Sequence, residues 1–232
     1  MPTVHQSPIG HELLDDPGAD PAVVRESLHH LARSNAWFGG LAAARAGIDR
    51  LLAGRRPDRL SLLDVGTGGG DIPGALGRIL GRRRIALAPI GIDRHPAAAP
   101  LAAARGVPTA VGDAFALPFA DRSIDVVLIS QVAHHFSADG VRALAREASR
   151  VARLGVVLAD LTRSRLAQVG FRLGSRLLGF DRVTRLDGIT SLARGFRPAE
   201  LTALLAGAGI AATVTTHLGS RIVATWAPPR LP

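Results

Sequence analysis

The segment Leu62-Leu63-Asp64-Val65-Gly66-Thr67-Gly68-Gly69-Gly70-Asp71 decides how this chain folds. Its apolar beginning belongs to a run that starts at Leu60, its middle is a turn of glycines, and a helical pattern begins at Asp71. This order predicts a strand, a tight turn and a helix, the unit from which parallel sheets are built. Glycine suits such a turn because it accepts positive φ angles and lets the backbone approach a ligand closely.

Strands and helices alternate downstream of this segment. Apolar runs predict further strands at 85–92, 107–111, 124–130 and 156–161, with helical patterns at 96–105 and 138–150. The run 124–130 is almost continuously apolar, which is typical of a parallel strand buried on both faces. The alternation predicts an α/β fold with a doubly wound parallel sheet.

The outer parts of the chain are predicted to be helical additions to this sheet. Asp20-Pro21 is a helix start, with Asp as the cap and Pro in the first turn, and a second helix follows at 41–52. We predict one domain over 1–232, in four parts. They are a helical cap (1–57), a core (58–160), an Arg-rich insertion (161–198), and a closing helix with two strands (199–232).

Composition excludes several classes of protein. The chain has 232 residues, of which 47% are hydrophobic and 20% charged, so a packed core is expected rather than disorder. The absence of cysteine excludes disulfides, thiolate metal sites and cysteine nucleophiles. Apolar runs are too short for a membrane span, and the first 20 residues do not resemble a secretory signal, so we expect a cytoplasmic protein.

The net charge of +9 permits an acidic partner, a nucleic acid or an anionic membrane surface. Every cation is Arg, and the high Ala and Gly content also fits a GC-rich genome. Only nine aromatic residues (two Trp, seven Phe) are available, which disfavours nucleic-acid recognition by base stacking.

The glycine turn fits a ligand without phosphates better than a dinucleotide. A dinucleotide fingerprint would need its third glycine at 71, where Asp71 stands. A carboxylate at a helix N-terminus would also repel a pyrophosphate. The spacing of Gly66, Gly68 and Gly70 after Asp64 suits a ligand with a cationic end; the alternative is that these glycines only turn the chain.

Two further acids follow the next strands. Asp93 ends the second strand, where a carboxylate can accept both hydroxyls of a ribose; the alternative is a cap for the helix near Pro96. Asp113 could accept a hydrogen bond from an adenine amine, with Ala114 or Phe115 against the ring; the alternative is an ordinary turn residue.

Four segments in register resemble the class I S-adenosylmethionine-dependent methyltransferases of the small-molecule type, close to those of ubiquinone and menaquinone biosynthesis. They are 62–71, 90–94, 112–119 and 121–136. The resemblance implies a Rossmann-like seven-stranded sheet of order 3-2-1-4-5-7-6, with the last strand antiparallel and S-adenosylmethionine over the carboxyl ends of the first four strands. The cofactor-binding residues it implies are Asp64, Gly66, Thr67, Gly68, Gly70, Asp93, Arg94, Asp113, Ala114, Phe115, Ser130 and Gln131.

His134 and His135 follow the fourth strand, where an acceptor would approach. One of them is our candidate general base for a hydroxyl acceptor, and the alternative is simple packing beside Phe136. Because consecutive residues cannot share a helical face, we expect at most one in the pocket. Asp160 is a candidate metal ligand without an evident second ligand, so we predict no metal.

The outer segments carry a second, weaker resemblance, to methyltransferases of bacterial aromatic-polyketide and quinone-like pathways. It rests on 12–16, 35–40, 160–165 and 185–196. It implies a phenol or hydroquinone acceptor with an alkyl tail, and makes the insertion a substrate lid. The Arg residues of the insertion could hold an acidic acceptor, lie on a membrane surface or be a solvated helix face. Trp37 and Phe38 could cap the pocket, but we expect them to pack in the core.

Three other functions stay open from the sequence. They are an RNA methyltransferase, suggested by the charge; a pseudo-enzyme that binds the cofactor without turnover; and an NAD-binding protein, disfavoured by Asp71. The sequence makes no prediction of oligomeric state, and it does not separate O- from C-methylation.

Overall fold

Strand β1 (Arg59–Val65) lies at the centre of one mixed sheet. A computed structural model describes residues 7, 9–10, 12–16 and 18–228. Within these residues the other strands are β2 (Ala86–Asp93), β3 (Thr109–Val111), β4 (Ile124–Ser130), β5 (Ala152–Leu161), β6 (Thr213–His217) and β7 (Arg221–Trp226). The ends of the predicted cap and closing segment, including nine of the 20 residues searched for a secretory signal, lie outside the described residues.

The strand order is β3-β2-β1-β4-β5-β7-β6. Strands β1 to β5 pair in parallel, and β7 runs antiparallel to both β5 and β6. The predicted fold class, sheet order and reversed strand are therefore confirmed. In β4 all seven residues are buried, which explains its continuous apolar sequence.

Helices cover both faces of the sheet. They are α1 (Pro21–Trp37), α2 (Gly40–Leu51), α3 (Asp71–Arg82), α4 (Ala98–Ala103), α5 (Ala138–Val151), α6 (Arg165–Leu177), α7 (Arg182–Arg194) and α8 (Pro198–Ala206). One face packs against α2 and α3 through Ile48 and Leu76, and the other against α5 and α8 through Leu144 and Leu201. Burial of these side chains is the main favourable contribution to folding.

The N-terminal cap and the insertion are both helical, as predicted. Asp20 caps α1 by accepting a hydrogen bond from the Ala22 amide at 2.7 Å, with Pro21 in the first turn. Helices α6 and α7 pack together after β5, and α7 contacts the short 3-10 turn Ala133–His135. No helix in the described ranges has the length and apolarity needed to cross a bilayer.

Two details of the prediction are wrong. Strand β5 begins at Ala152 rather than 156, because the pairing of β4 with β5 shifts register between Ile124 and Val126 and so extends to Ala152. Trp37 does not pack in the core: 71% of it is exposed. Only the neighbouring Phe38 is packed, with its ring 5.3 Å from that of Phe171.

Candidate active site

The glycine turn after β1 is held close to the end of β2. The amides of Gly66 and Thr67 donate to the carbonyl of Ile92 at 2.8 and 3.1 Å. Gly66 has φ +72°, and a Cβ there would lie 2.2 Å from Cγ2 of Val132. Only glycine fits at position 66, since any side chain would overlap Val132.

A cavity of about 850 Å³ opens beside this turn, at the carboxyl ends of the strands. Its size lies within the range of about 300–1,000 Å³ that is typical of small-molecule sites. Its wall contains these predicted site residues: Asp64, Gly66, Thr67, Gly68, Asp93, Arg94, Asp113, Ala114, Phe115, Ser130, Gln131, His134 and His135. Gly70 lies beside the cavity, under Ala102, whose Cα a Cβ at position 70 would meet at 2.9 Å, and Gly69 lines the cavity instead. A role of Gly70 in cofactor binding stays a prediction.

Asp64 presents an unsatisfied acceptor inside the cavity wall. Its Oδ2 accepts a hydrogen bond from the Thr67 hydroxyl at 2.9 Å, whereas Oδ1 has no partner among the described residues. Burial, with smaller contributions from the charges of Asp71 and Asp93, raises the pKa of Asp64 to about 8. A buried acceptor without a partner costs about 1–3 kcal/mol. This oxygen is therefore suited to a cationic hydrogen-bond donor on a ligand.

Asp93 and Asp113 also fit the more ordinary roles that the sequence left open. Asp93 accepts hydrogen bonds from the amides of Gly68 (2.8 Å) and His95 (2.9 Å), and Asp113 accepts one from the amide of Phe115 (2.9 Å). These bonds orient the carboxylates without exhausting them, since each oxygen has two acceptor positions. Both side chains therefore remain able to accept hydroxyl or amine groups from a ligand.

A chain of hydrogen bonds joins four residues that line the cavity. Asn35 donates to Asp71 at 3.0 Å and accepts from Gln131, which in turn accepts from Arg221 at 2.5 Å. Arg221 is buried, which lowers its pKa to about 10. Asn35 and Arg221 were not predicted as site residues. For Arg221 a signal was available, because it is a charged residue at the start of the apolar strand β7.

His134 and Asp160 form a buried pair. Nδ1 of His134 lies 2.6 Å from Oδ1 of Asp160, and the exposed fractions of the two residues are 3% and 0%. Burial acts to raise the pKa of Asp160, but the charge and hydrogen bond of His134 outweigh it, so the net pKa is lowered. An ionised carboxylate only accepts hydrogen bonds, so the ring donates from Nδ1, and in the neutral ring Nε2 is then the acceptor. This Nε2 is buried and has no partner in the described part of the chain.

His135 is held by a short N-terminal segment, the strap, which comprises residues 9–10 and 12–15. Nδ1 of His135 lies 2.7 Å from Oδ1 of Asp15. The buried Arg194 on α7 donates to Asp15 at 2.8 Å, to Glu12 at 3.0 Å and to the carbonyls of Ile9 and Gly10. Although burial favours the neutral acid, hydrogen bonds from His135 and Arg194 hold the pKa of Asp15 well below its usual range.

The expectation that only one histidine faces the cavity is wrong. Both line it, with ring centroids 4.3 Å apart. They lie on a single 3-10 turn, which is followed by extended backbone at Phe136, so the spacing rule of a continuing α-helix does not apply. The two rings differ in their anchors, since His134 bonds to β5 and His135 to the strap.

Within the described part of the chain, Glu12, His134 and His135 could together hold a metal ion. Their ligand atoms lie within 4.8 Å of one another. However, the Glu12 oxygens already accept from Arg194 and, at 2.8 Å, from Ser191. A cation at this carboxylate competes with a metal for the same charge. That no metal is used stays a prediction.

Comparisons with known proteins agree with this geometry. Residues 63–159 match a family model described as a methyltransferase domain. This central part of the chain is a methyltransferase domain, as the sequence motifs predict. No curated protein matches the sequence.

Solved structures of low sequence identity share the fold of this methyltransferase. A methyltransferase from Aquifex aeolicus aligns over 89% of this chain and 97% of its own, with 16% identity and a TM-score of 0.60. A possible histamine N-methyltransferase from Thermotoga maritima aligns over 90% and 100%, with 18% identity and a TM-score of 0.57. Human N-acetylserotonin methyltransferase aligns over 90% of this chain and 57% of its own, with 14% identity and a TM-score of 0.62.

The cofactor is S-adenosylmethionine, and the cavity suits it chemically. The ligand carries an ammonium and a sulfonium but no phosphate. The unpartnered Oδ1 of Asp64 and the unpartnered hydroxyl of Ser130 both lie in the cavity wall, close to a turn of exposed backbone. These groups fit a cationic amino acid and a nucleoside.

Proposed function

We propose that this methyltransferase transfers the methyl group of S-adenosylmethionine to the hydroxyl of a phenol or hydroquinone. The observation that carries the proposal is the pair His134–Asp160, which leaves a buried imidazole nitrogen without a described partner on a residue that lines the cavity. A hydroxyl acceptor needs a group that removes its proton, whereas the positive sulfonium supplies the electrophilic carbon. Histidine is the side chain best matched to this proton transfer near neutral pH.

The residues of the chain divide the work of the reaction. Nε2 of His134 would accept the proton of the acceptor hydroxyl. Bound S-adenosylmethionine would supply the methyl group for the resulting oxygen, and S-adenosylhomocysteine would be the leaving group. Asp160 holds the tautomer with Nδ1 protonated and stabilises the imidazolium that forms. Such a base contributes about 10²–10⁴-fold, and positioning within an enclosed cavity contributes further. Asp64, Asp93 and Asp113 hold the methionine, ribose and adenine ends in this proposal.

The insertion acts as a lid that shapes the acceptor side. Its Phe171 and Leu192 line the cavity together with Phe38, which supports an aromatic, lipid-tailed acceptor rather than a highly charged one. Arg194 is not free to bind an acidic acceptor, because Glu12 and Asp15 already neutralise it. A nucleic-acid acceptor is disfavoured, as the described aromatic residues are mostly buried or packed on one another.

A labelled-methyl assay tests the proposal. The panel contains phenols and hydroquinones with and without alkyl tails, and bulk RNA. We expect transfer to a hydroquinone, with the product analysed for O- or C-methylation. His134→Gln should slow single-turnover transfer by at least a hundredfold while leaving the affinity for S-adenosylhomocysteine within about threefold. Transfer to RNA alone, or undiminished transfer by His134→Gln, would contradict it.

Two controls sharpen this test. His135→Gln alters the ring anchored to the strap, and we expect a smaller effect than that of His134→Gln because its Nδ1 partner belongs to the Arg194 network. Exhaustive chelation should leave the rate unchanged, because the proton acceptor is an imidazole. A protein that binds the cofactor tightly but methylates nothing in the panel would favour the pseudo-enzyme alternative. Cytoplasmic location stays a prediction.

A further inference from the structure

The outer face of α6 is apolar and exposed. Leu166, Val169, Leu173 and Leu177 repeat at i, i+3, i+7 and i+11, so they form one stripe along the helix. Their exposed fractions are 82%, 51%, 58% and 89%. Within a folded monomer, leucines this exposed in a continuous stripe indicate a surface that contacts something apolar.

A row of cations borders this stripe. Arg165, Arg172 and Arg176 each precede a leucine of the stripe by one residue, which places the row about 100° around the helix axis. All three are exposed, and none forms an ion pair with another described residue. An exposed apolar stripe beside unpaired cations is the pattern of helices that lie in the interface of an anionic membrane.

The inner face of the same helix belongs to the cavity. Ala167, Gly170 and Phe171 line the cavity wall, and Ser175 is completely buried. The ring of Phe171 contacts Phe38, whose neighbour Trp37 is 71% exposed. Helix α6 is therefore a single layer between the cavity and the outside, and the exposed Trp37 is the chain neighbour of a residue that packs against it. Tryptophan is favoured at membrane interfaces, since its ring is apolar and its N–H is polar.

We propose that the outer face of α6 docks on an anionic lipid bilayer. The apolar stripe enters the boundary between headgroups and acyl chains, the Arg row contacts the acidic headgroups, and Trp37 lies at the same depth. Charge complementarity selects a membrane over a second copy of the chain, because two Arg rows brought together would repel each other. This inference goes beyond the proposed function and holds or fails independently of which acceptor is methylated.

Docking in this orientation places the lid against the bilayer. A lipid-tailed acceptor would then reach the cavity past α6 without crossing water. The stripe and the cavity wall are on different faces of the same helix. A membrane contact at the stripe would therefore affect how the methyl acceptor enters the cavity. Membrane binding itself requires neither the cofactor nor turnover.

Vesicle sedimentation with matched variants tests the proposal. The 232-residue chain is mixed with one of two kinds of vesicle. One kind is pure phosphatidylcholine, and the other is phosphatidylcholine in which about a third of the lipid is replaced by phosphatidylglycerol. We expect binding to the anionic vesicles that weakens with salt. Leu173→Glu should weaken it at least fivefold, whereas Val111→Glu should not, because Val111 is equally exposed (58%) on the edge strand β3.

A second pair of variants tests the Arg row. One variant replaces Arg165, Arg172 and Arg176 by Gln. The control variant replaces Arg55, Arg56 and Arg82 by Gln, since these three arginines are exposed but lie outside α6. Each cation near an anionic membrane surface contributes to the binding free energy. The loss of three such cations should therefore weaken vesicle binding on the order of a hundredfold. The control triple should change binding much less at the same net charge.

Fluorescence gives an independent readout of the contact. The chain has two tryptophans, and Trp226 is buried, so the exposed Trp37 reports on the surface. Brominated phosphatidylglycerol should quench Trp37 in the wild type and not in Leu173→Glu. The proposal is overturned if vesicles do not bind, if both triples weaken binding equally, or if the stripe instead mediates a dimer that Leu173→Glu dissociates.

Discussion

At the residue scale, the state of Asp64 ties cofactor binding to pH. Its pKa of about 8 lies above the ordinary 3.8, so below pH 8 the ligand-free site holds a proton that the unfolded chain would release. This raised pKa makes the ligand-free protein less stable as pH rises from about 4 to 8. A cationic ligand favours the carboxylate, so binding expels the proton.

We therefore predict that affinity for S-adenosylmethionine rises as pH increases from 6 to 8, by up to about tenfold per unit. Asp64→Asn should remove this slope, because the amide does not titrate. Calorimetry in buffers of different ionisation enthalpy measures both the affinity and the released proton. Equal slopes in the wild type and in Asp64→Asn would contradict this origin of the pH dependence.

Asp160 acts through His134 as a positioning residue. In Asp160→Asn the amide can donate to Nδ1, which favours the wrong tautomer. We expect single-turnover transfer to fall by at least a hundredfold near neutral pH, with an altered pH profile and little change in affinity for S-adenosylhomocysteine. Asp125→Asn is the matched control, since Asp125 is a buried carboxylate bound to Ser61 and Arg153 away from the cavity. It should lower stability without changing the pH profile.

Substitutions at Gly66 and Gly54 distinguish the cost of backbone strain from the cost of steric overlap. Both have φ near +70°, but a Cβ at Gly54 meets nothing within 4 Å, whereas one at Gly66 overlaps Val132. Gly54→Ala should cost about 1 kcal/mol of unfolding free energy. Gly66→Ala should cost about 1–3 kcal/mol more, and it should also weaken S-adenosylhomocysteine binding. Urea denaturation and calorimetry measure the two effects; equal costs for both variants would show that Val132 gives way.

At the scale of elements, the strap is held in place by α7. Arg194 bridges Glu12, Asp15 and two strap carbonyls, so its loss leaves two buried carboxylates uncompensated. For Arg194→Gln we predict rapid amide exchange in residues 12–15 while β1 to β5 keep their protection. Arg163→Gln is the control, because it removes the more exposed ion pair between Arg163 and Glu200. It should leave amide exchange in the strap unchanged. Uniform loss of protection in Arg194→Gln would mean that the strap is not a separate unit.

The elements themselves could be predicted because their signals are local. Asp20-Pro21 starts α1 and the glycine turn joins β1 to α3, each within a few adjacent residues. The contacts of the site are not local: His134 meets Asp160 26 residues away, and Glu12 meets Arg194 182 residues away. Spacing and periodicity carry no information about such pairs. The histidines could therefore be selected as candidates from the sequence, but their anchors could not.

At the scale of the whole molecule, the sheet collects groups from distant parts of the chain at one edge. The carboxyl ends of β1, β2, β4 and β5 supply Asp64, Asp93, Ser130 and Asp160 because these strands run in parallel. The strap and the insertion then close the cavity from the chain's two flanks. The sequence predicted the first set through the turns that follow each strand, while Trp37 was misplaced because an aromatic residue at a helix end resembles a core position.

The most direct test of this account is a calorimetric titration of S-adenosylhomocysteine and of NADH into the wild type, Asp93→Ala and Asp58→Ala at pH 8. Asp58 is an exposed aspartate at the amino end of β1 and serves as the control. The account predicts that S-adenosylhomocysteine binds the wild type and Asp58→Ala alike, that Asp93→Ala binds it at least tenfold more weakly, and that NADH binds none of them. NADH binding comparable to that of S-adenosylhomocysteine, or unchanged affinity in Asp93→Ala, would contradict it.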